Sequence, residues 1–293
     1  MDITASMVKE LRERTGAGMM ECKRALQEAN GDMEAAIEQM RISGLAKADK
    51  KSDNTAAEGI VAIRVADDNS KLAIVEINSQ TDFASKSEDF TGFVDAVSTA
   101  ILESQPASTA AFAEQPLAGG DSVEDTRKAL IAKIGENIQI RRFESRDSGG
   151  SQVGVYSHGG RIGVVCELQG GDEQLAKDIA MHIAASKPVC VDESGVPAEL
   201  LEKEKSILMA EAAESGKPEE IIEKMVQGRI RKYLAEITLV GQPFVKDPDQ
   251  TVEKLLKGAG ASVVAFTRYE VGEGIEKKEE NFAEEVMAQV RGS

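Results

Sequence analysis

The sequence is poor in aromatic side chains and contains no tryptophan. Phe, Trp and Tyr together make up 4% of its 293 residues, which indicates a soluble, helix-rich protein with modest aromatic packing. No apolar run approaches the roughly 18 residues that a membrane-spanning helix requires. The opening residues Met1-Asp2-Ile3 are not typical of a signal peptide. We therefore expect a cytoplasmic protein without a membrane partner.

Positive charge is also scarce in this chain. It has 35 Lys and Arg residues against 51 Asp and Glu residues, and its formal net charge is −16. A surface that binds nucleic acid concentrates Lys and Arg against the phosphates, so an acidic excess works against such binding. The composition therefore predicts that no nucleic acid is a direct partner.

Residues suited to catalysis or metal binding are few. Cys22, Cys166 and Cys190 are widely spaced and form no Cys-x-x-Cys pattern, so we expect reduced thiols rather than disulfides or a metal site. His182 lies in an apolar helical segment, which predicts a core residue. The sequence contains no nucleophile elbow, phosphate-binding loop or metal-ligand cluster. We therefore predict no cofactor, no metal and no covalent catalysis, so the protein is not expected to be an enzyme.

Apolar residues at helical spacing predict three short helices within residues 1–54. The third helix is expected to end near Gly44, and the small, charged segment Lys47–Asn54 is typical of a linker. Met19 and Met20 follow a glycine-rich turn. Methionine is an adaptable contact residue but also fills cores, so the residues alone leave both interpretations of this pair open.

The period of the apolar residues changes to two after Gly59, where two alternating segments predict a β-hairpin. A helix, a loose insertion over residues 104–121, a second helix and a third strand follow. Together they predict an α+β subdomain over residues 55–146. The same order of elements recurs in residues 147–196 and 241–274, so we predict two related α+β subdomains.

Residues 197–240 interrupt the second subdomain with two amphipathic helical segments. Their apolar residues, Ile207 and Leu208 among them, predict an antiparallel coiled coil about 25 Å long. Such a hairpin either projects towards a partner or packs as a pair of core helices, and the pattern leaves both open. Residues 275–293 predict a C-terminal module with a short helix that contains Phe282. The fold class is therefore predicted to be α+β.

A polar turn, Gln80-Thr81-Asp82-Phe83, joins the second predicted strand to a helix that Ser87 can cap. It carries one aromatic side chain beside a carboxylate. Phe83 is either a surface probe for a partner or a core residue that folds under its own helix. The residues alone do not decide between these two interpretations.

Two long motifs resemble signatures of the bacterial translation elongation factor Ts family. The first is Leu11-Arg12-Glu13-Arg14-Thr15-Gly16-Ala17-Gly18-Met19-Met20. The second is Glu76-Ile77-Asn78-Ser79-Gln80-Thr81-Asp82-Phe83-Ala84-Ser85-Lys86. Similar segments continue downstream, including His158-Gly159-Gly160-Arg161-Ile162-Gly163 and Val271-Gly272-Glu273-Gly274-Ile275. One departure is Ala84, which stands where the family usually has Val.

The resemblance implies a guanine-nucleotide exchange factor for elongation factor Tu, which it would bind in GDP-bound and nucleotide-free forms. It also implies a ubiquitin-associated-like N-terminal domain and a coiled coil that projects from the second subdomain. The loop implied to displace Mg²⁺ in the partner comprises Thr81, Asp82, Phe83 and Ala84. The other implied partner contacts are Arg12, Met19, Met20, His158, Gly159, Arg161 and Phe282. A non-catalytic helical adaptor that binds through residues 1–54 stays open as the alternative.

Overall fold

The structure is a computed structural model that describes residues 3–117, 119–214 and 218–276. Its first part consists of the helices α1 (Ala5–Thr15), α2 (Met19–Glu28) and α3 (Met33–Lys51). Leu11, Cys22, Leu26 and Ala36 are buried between them and form a small separate core. The three predicted helices are therefore present.

The first sheet follows these helices. Its hairpin consists of the strands β1 (Glu58–Val65) and β2 (Lys71–Ser79). Four helices follow before the third strand, β3 (Ile138–Asp147), namely α4 (Asp82–Ser85), α5 (Glu88–Ser104), α6 (Thr109–Ala113) and α7 (Val123–Ile134). The strands are antiparallel in the order β1-β2-β3. The predicted hairpin and the helix that begins after Ser87 are thus confirmed.

The second sheet repeats this order with a longer connection. The hairpin strands are β4 (Gln152–His158) and β5 (Ile162–Gln169), followed by the helices α8 (Glu173–Ser186), α9 (Ala198–Ala213) and α10 (Glu219–Ile237). The short strands β6 (Pro243–Phe244) and β7 (Asp247–Thr251), helix α11 (Val252–Gly258) and strand β8 (Ser262–Glu270) complete it. Its three long strands are antiparallel in the order β4-β5-β8.

The two sheets pack against each other, and each has helices on its other face. On β2, Val75 and Ile77 point towards α5 and α7, whereas Leu72 and Ile74 meet residues of the second sheet. This division follows from the alternation of side chains along a strand. On β5, Val165 contacts the first sheet and its neighbours pack against α8. The described core therefore has four layers, in the order helix, sheet, sheet and helix.

The predicted linker Lys47–Asn54 is wrong in its first half, because α3 does not end near Gly44 but continues to Lys51. Ala48 is 2% exposed and belongs to the core under the first sheet, which holds this part of the helix in place. Beyond the helix, the Asn137 side chain donates hydrogen bonds to the carbonyl groups of Ser52 and Asn54 at 3.1 and 2.7 Å. The N-terminal helices are therefore joined to the core by a packed helix.

The expectation of a loose insertion over residues 104–121 is also wrong. This segment contains α6, whose Phe112 is 1% exposed. The Phe112 ring meets the Phe143 ring edge to face, with 5.8 Å between the ring centroids. An aromatic pair of this kind, with Phe112 buried and Phe143 partly buried, contributes to the core in its own right. The segment is consequently part of the packed structure.

Helices α9 and α10 run antiparallel, with Arg229 bound to Glu211 at 2.8 Å and the apolar residues Leu208, Ala212 and Val226 buried between them. Ile207, which was predicted to share the seam with Leu208, is 44% exposed. Successive helical residues point about 100° apart, so only one of the two can face the partner helix. The coiled coil itself stays a prediction.

The predicted C-terminal helix and Phe282 lie outside the described residues. The predicted domain boundaries stay predictions. Within the described ranges, no helix has the length and apolar character needed to cross a membrane. The same ranges contain no cluster of His, Cys, Asp and Glu that could hold a metal ion. Cys22, Cys166 and Cys190 are free thiols, and His182 is fully buried as predicted.

Candidate functional site

The turn after β2 presents Phe83 to solvent. Its side chain is 83% exposed, the largest value among the big apolar residues that the structure describes. This excludes the interpretation of Phe83 as a core residue. An aromatic ring left in water at the tip of a turn gains free energy only when another surface covers it. The turn is therefore a candidate contact site for a partner.

The turn is held rigidly from below. The Thr81 hydroxyl accepts a hydrogen bond from the Ala84 N–H at 3.2 Å and so caps the single turn of α4. Thr81 also donates twice to the Glu136 carboxylate, from its N–H at 2.9 Å and from its hydroxyl at 2.7 Å. Ala84 and Ser85 are buried on the inner side of the turn. Phe83 is consequently displayed on a fixed backbone.

Gln80 adds a second attachment just before the turn. Its side-chain oxygen accepts a hydrogen bond from the Asn137 N–H at 2.7 Å and one from the Asn54 side chain at 3.3 Å. These contacts join the end of β2 to the start of β3 and to the segment after α3. The position of the turn therefore depends on three separate parts of the chain.

Asp82 carries an exposed negative charge beside Phe83. Its carboxylate pairs with Lys86 at 2.7 Å. The hydrogen bond from Lys86 is the main cause that lowers the pKa of Asp82, and the positive charge of Arg161 acts in the same direction. Asp82 is therefore ionised at neutral pH, and its carboxylate is available to a cation or a polar group of a partner.

The turn between β4 and β5 lies at the same edge of the molecule. Arg161 forms a 2.6 Å ion pair with Glu58, and the Gly160 carbonyl accepts a hydrogen bond from Val61 N–H at 2.7 Å. Glu58 stands opposite Ser79, the last residue of β2. The predicted site residues next to the two hairpins thus lie together on one side of the molecule. They are Thr81 to Ala84 after the first hairpin, and His158, Gly159 and Arg161 in the second, all three of which have exposed surface.

The N-terminal helices carry a second apolar surface. Met19 and Met20 begin α2 and are 62% and 77% exposed, so the interpretation of this pair as core is excluded. Arg12 on α1 is also exposed. These three predicted contact residues belong to a different part of the fold from Phe83.

Comparison with known proteins adds a finding on the whole chain. The profile of the family described as "Elongation factor TS" matches residues 80–273, more than half of the sequence. Full-length relatives described as elongation factor Ts include one from Thioalkalivibrio sulfidiphilus, which is 66% identical over 294 residues that cover 100% of both chains. Those from Alkalilimnicola ehrlichii and Methylococcus capsulatus are 64% and 63% identical, again over 100% of both chains. The chain belongs to the elongation factor Ts family.

The elongation factor Ts profile begins at Gln80, so the matched region contains both the Phe83 turn and the His158 turn. The N-terminal helices with Met19 and Met20 precede it, and their membership rests on the full-length elongation factor Ts relatives.

Sequence reasoning missed several residues that build this site. Glu136 and Glu58 fix the two turns, but each acts on a residue far away in the chain, 55 positions for Glu136 and Thr81 and 103 for Glu58 and Arg161. Local periodicity contains no signal for such pairs. A carboxylate directly after the glycine that ends α7, as Glu136 is, was the one local feature that distinguished it.

Proposed function

We propose that this protein is a guanine-nucleotide exchange factor that promotes the release of GDP from elongation factor Tu. It performs no covalent chemistry of its own. The proposal is supported by membership of the elongation factor Ts family. The observation that carries it is the exposed Phe83 ring on a rigid turn beside an ionised Asp82.

The turn acts on the magnesium and phosphate site of the partner. A bound nucleoside diphosphate is held by Mg²⁺ and by backbone N–H groups that point at its phosphates. Phe83 enters as an apolar wedge and shifts the elements that carry those groups. Asp82 competes for the polar contacts around the metal. GDP then binds less tightly, and by linkage GDP weakens the binding of the exchange factor by the same factor.

The free energy available from the ring is sufficient for this effect. Full burial of a Phe side chain contributes about 1.5–3 kcal/mol. A tenfold change in affinity corresponds to about 1.4 kcal/mol. Because Phe83 is exposed in the free protein, nearly all of this free energy is gained on binding. If the ring is buried only in the nucleotide-free complex, its burial corresponds to roughly a ten- to hundredfold loss of GDP affinity.

Contacts elsewhere hold the wedge against its target. The exposed Met19 and Met20, together with Arg12, form one further contact, and the His158–Arg161 turn forms another. Linking several weak contacts raises the effective concentration of each, so the complex persists in both the GDP-bound and the nucleotide-free states. On this proposal the N-terminal helices are a ubiquitin-associated-like domain, the two sheets are related subdomains, α9 and α10 are a coiled coil, and the factor acts in the cytoplasm.

The proposal is tested with Phe83→Ala and labelled GDP bound to purified elongation factor Tu. We expect GDP release to slow by about tenfold or more, since most of the wedge is removed. Thermal stability should stay unchanged because the ring is exposed. Val264→Ala is the matched control, since Val264 is another exposed apolar residue, at 54%, and lies on β8.

Two outcomes contradict this proposal. Normal GDP release by folded Phe83→Ala would show that the ring is not the wedge. A loss of about 3–5 kcal/mol in the free energy of unfolding is the range for deletion of a buried aromatic, and it would show that Phe83 is part of the core.

A further inference from the structure

Glu76 is a fully buried carboxylate in the middle of the molecule. It lies on β2 with its side chain between the two sheets, and its exposed fraction is 0%. Arg142 Nε donates to it at 2.6 Å, and Arg141 Nη1 lies 3.0 and 3.2 Å from its two oxygens. A single buried carboxylate is thus paired with two guanidinium groups.

A β-bulge allows both arginines to reach the same group. Glu76 is opposite Arg142, whereas the next residue, Ile77, is opposite Ile140, so Arg141 is the extra residue on β3. Neighbouring residues in a regular strand point to opposite faces. A bulge changes the direction of one side chain, and bulges occur often beside functional sites. The bulge therefore lies at the position where it allows Arg141 to pair with Glu76 as a second cation.

Glu76 also connects the end of β2 to the His158–Arg161 turn. Its Oε1 accepts a hydrogen bond from the Asn78 side chain at 3.1 Å. The same Asn78 nitrogen donates to the Glu58 carbonyl at 3.1 Å, and the Glu58 carboxylate is the partner of Arg161. This chain of contacts runs from Glu76 to the base of both candidate turns.

A second connection passes through the loop after β8. The Gly272 N–H donates to Glu76 Oε1 at 2.8 Å, and the preceding Val271 N–H donates to the Arg161 carbonyl at 2.8 Å. Gly272 has φ +75°, and a Cβ there would lie 2.3 Å from the Ala57 carbonyl oxygen, so only glycine fits. Glu76 therefore holds, through this loop, the backbone of the second turn.

Stability alone is a poor reason for this arrangement. Burial by itself raises the pKa of Glu76, but the hydrogen bonds from Gly272, Asn78 and the two arginines outweigh it, and the pKa is lowered. The carboxylate is thus ionised, and its desolvation opposes folding. Buried ion pairs are often no more stabilising than apolar residues of similar volume, whereas their geometry is demanding. We therefore expect Glu76 to contribute mainly by fixing the positions of the groups that it binds.

We propose that Glu76 is a positioning residue that fixes the Thr81–Ala84 turn relative to the His158–Arg161 turn, so that Phe83 and Arg161 meet the partner in one register. This inference rests on the proposed function.

The test is Glu76→Gln, which keeps the size of the side chain and removes its charge. At saturating exchange factor, the rate of GDP release from elongation factor Tu should fall by about tenfold, because the ring is misplaced. The concentration that gives half of the maximal rate should change by less than about threefold, since every contact residue is still present. A residue that served stability alone would lower the melting temperature and leave this rate unchanged in the folded protein.

Glu167→Gln is the matched control. Glu167 is 3% exposed, lies on β5, is bound by Arg146 at 2.6 Å and also stands next to a register shift. Arg146 itself contacts Thr267 rather than either turn. This variant removes an equivalent buried charge, and we expect a normal rate of GDP release from it.

A double variant gives the sharper result. In the Phe83→Ala background, Glu76→Gln should reduce the rate by less than about twofold more, because there is no ring left to place. Should Glu76→Gln fail to fold, Arg141→Met removes one guanidinium from the carboxylate and from the Glu273 carbonyl at the partly exposed side of the network. It is expected to act in the same direction.

Three results overturn the inference. They are a normal rate in folded Glu76→Gln or Arg141→Met, an equal loss in Glu167→Gln, and fully additive losses in the double variant. Any of these together with a slow Phe83→Ala leaves the proposed function intact. A normal rate in Phe83→Ala, by contrast, overturns the proposed function and this inference with it.

Discussion

The two sheets are built on the same plan and differ most in the turn that follows the central strand. Each consists of a hairpin and a third antiparallel strand. Each central strand has a buried glutamate, Glu76 on β2 and Glu167 on β5, directly before a shift in register. A capped helix packs across each sheet, α5 in the first and α8 in the second.

After β2 the chain forms the open turn that exposes Phe83, whereas after β5 it closes tightly. Gly170 has φ +76°, and a Cβ there would lie 2.5 Å from the Gly260 carbonyl oxygen. Position 170, the first after β5, therefore has no room for a side chain. The comparison indicates that the sheets supply a common framework, and that they differ in the turn on which the proposed wedge lies.

The largest expected effect concerns the shared framework. Ile77→Ala in the first sheet and Leu168→Ala in the second each remove a side chain that is 0% exposed. Each should lower the free energy of unfolding by about 2–5 kcal/mol, measured by urea denaturation followed by circular dichroism. A loss below about 1 kcal/mol for only one of them would show that the two cores are not equivalent in packing.

A smaller effect is expected at the caps of the two equivalent helices. The Ser87 hydroxyl accepts a hydrogen bond from Phe90 N–H at 3.3 Å, and the Asp172 carboxylate accepts one from Leu175 N–H at 2.8 Å. Ser87→Ala and Asp172→Ala should each lower the free energy of unfolding by about 0.5–2 kcal/mol. Ser104→Ala at the C-terminal end of α5 is the control, with an expected change within about 0.5 kcal/mol.

A difference in stability between the two halves of the chain is expected in acid, because both histidines lie in the second half. Val245 N–H donates to His182 Nδ1 at 3.2 Å, so Nδ1 carries no proton and Nε2 donates to Gln242 Oε1 at 3.0 Å. Burial is the main cause that lowers the pKa of His182 below its ordinary 6.5. Below pH 6.5 the unfolded chain therefore binds more protons than the folded one.

The stability contributed by neutral His182 should thus be complete above pH 6.5 and should be lost as the pH falls towards the lower pKa of the folded state. Urea midpoints at pH 7 and at about pH 5.5 measure this loss, and His182→Gln should reduce it. Glu270 does not interfere, since its ion pairs with Lys187 and Arg268 lower its pKa to about 2. A midpoint that is equal at both pH values in the unaltered protein would contradict the prediction.

Local signals in the sequence were sufficient for much of the framework. Ser87 predicted the start of α5, and the glycine-marked end of α7 at Gly135, with φ +86°, followed the rule for helix C-termini. The change of apolar period after Gly59 predicted the hairpin that is observed as β1 and β2. In each case the deciding residue lies within or next to the element that it defines.

Features that depend on distant contacts could not be predicted in this way. The sequence around Ala48 is typical of a linker, but the core beneath the first sheet buries this residue. The sequence around Phe112 is typical of a loose loop, but its ring packs against Phe143. The motif that contains Glu76 and Phe83 was recognised, but not that Glu76 is buried between two arginines. That arrangement requires a bulge on β3, and the pattern of apolar residues within one strand does not predict a bulge.

The continuation of α3 to Lys51 has a consequence for how the chain tolerates insertions. Each helical residue advances the axis by about 1.5 Å and turns it by about 100°. One residue inserted between Gly44 and the anchored Ala48 would swing Met19 and Met20 more than a quarter of a turn around the helix axis, although neither the small N-terminal core nor the sheets had been altered. A flexible tether would absorb the same insertion. The orientation of Met19 and Met20 relative to Phe83 is therefore set by the length of α3.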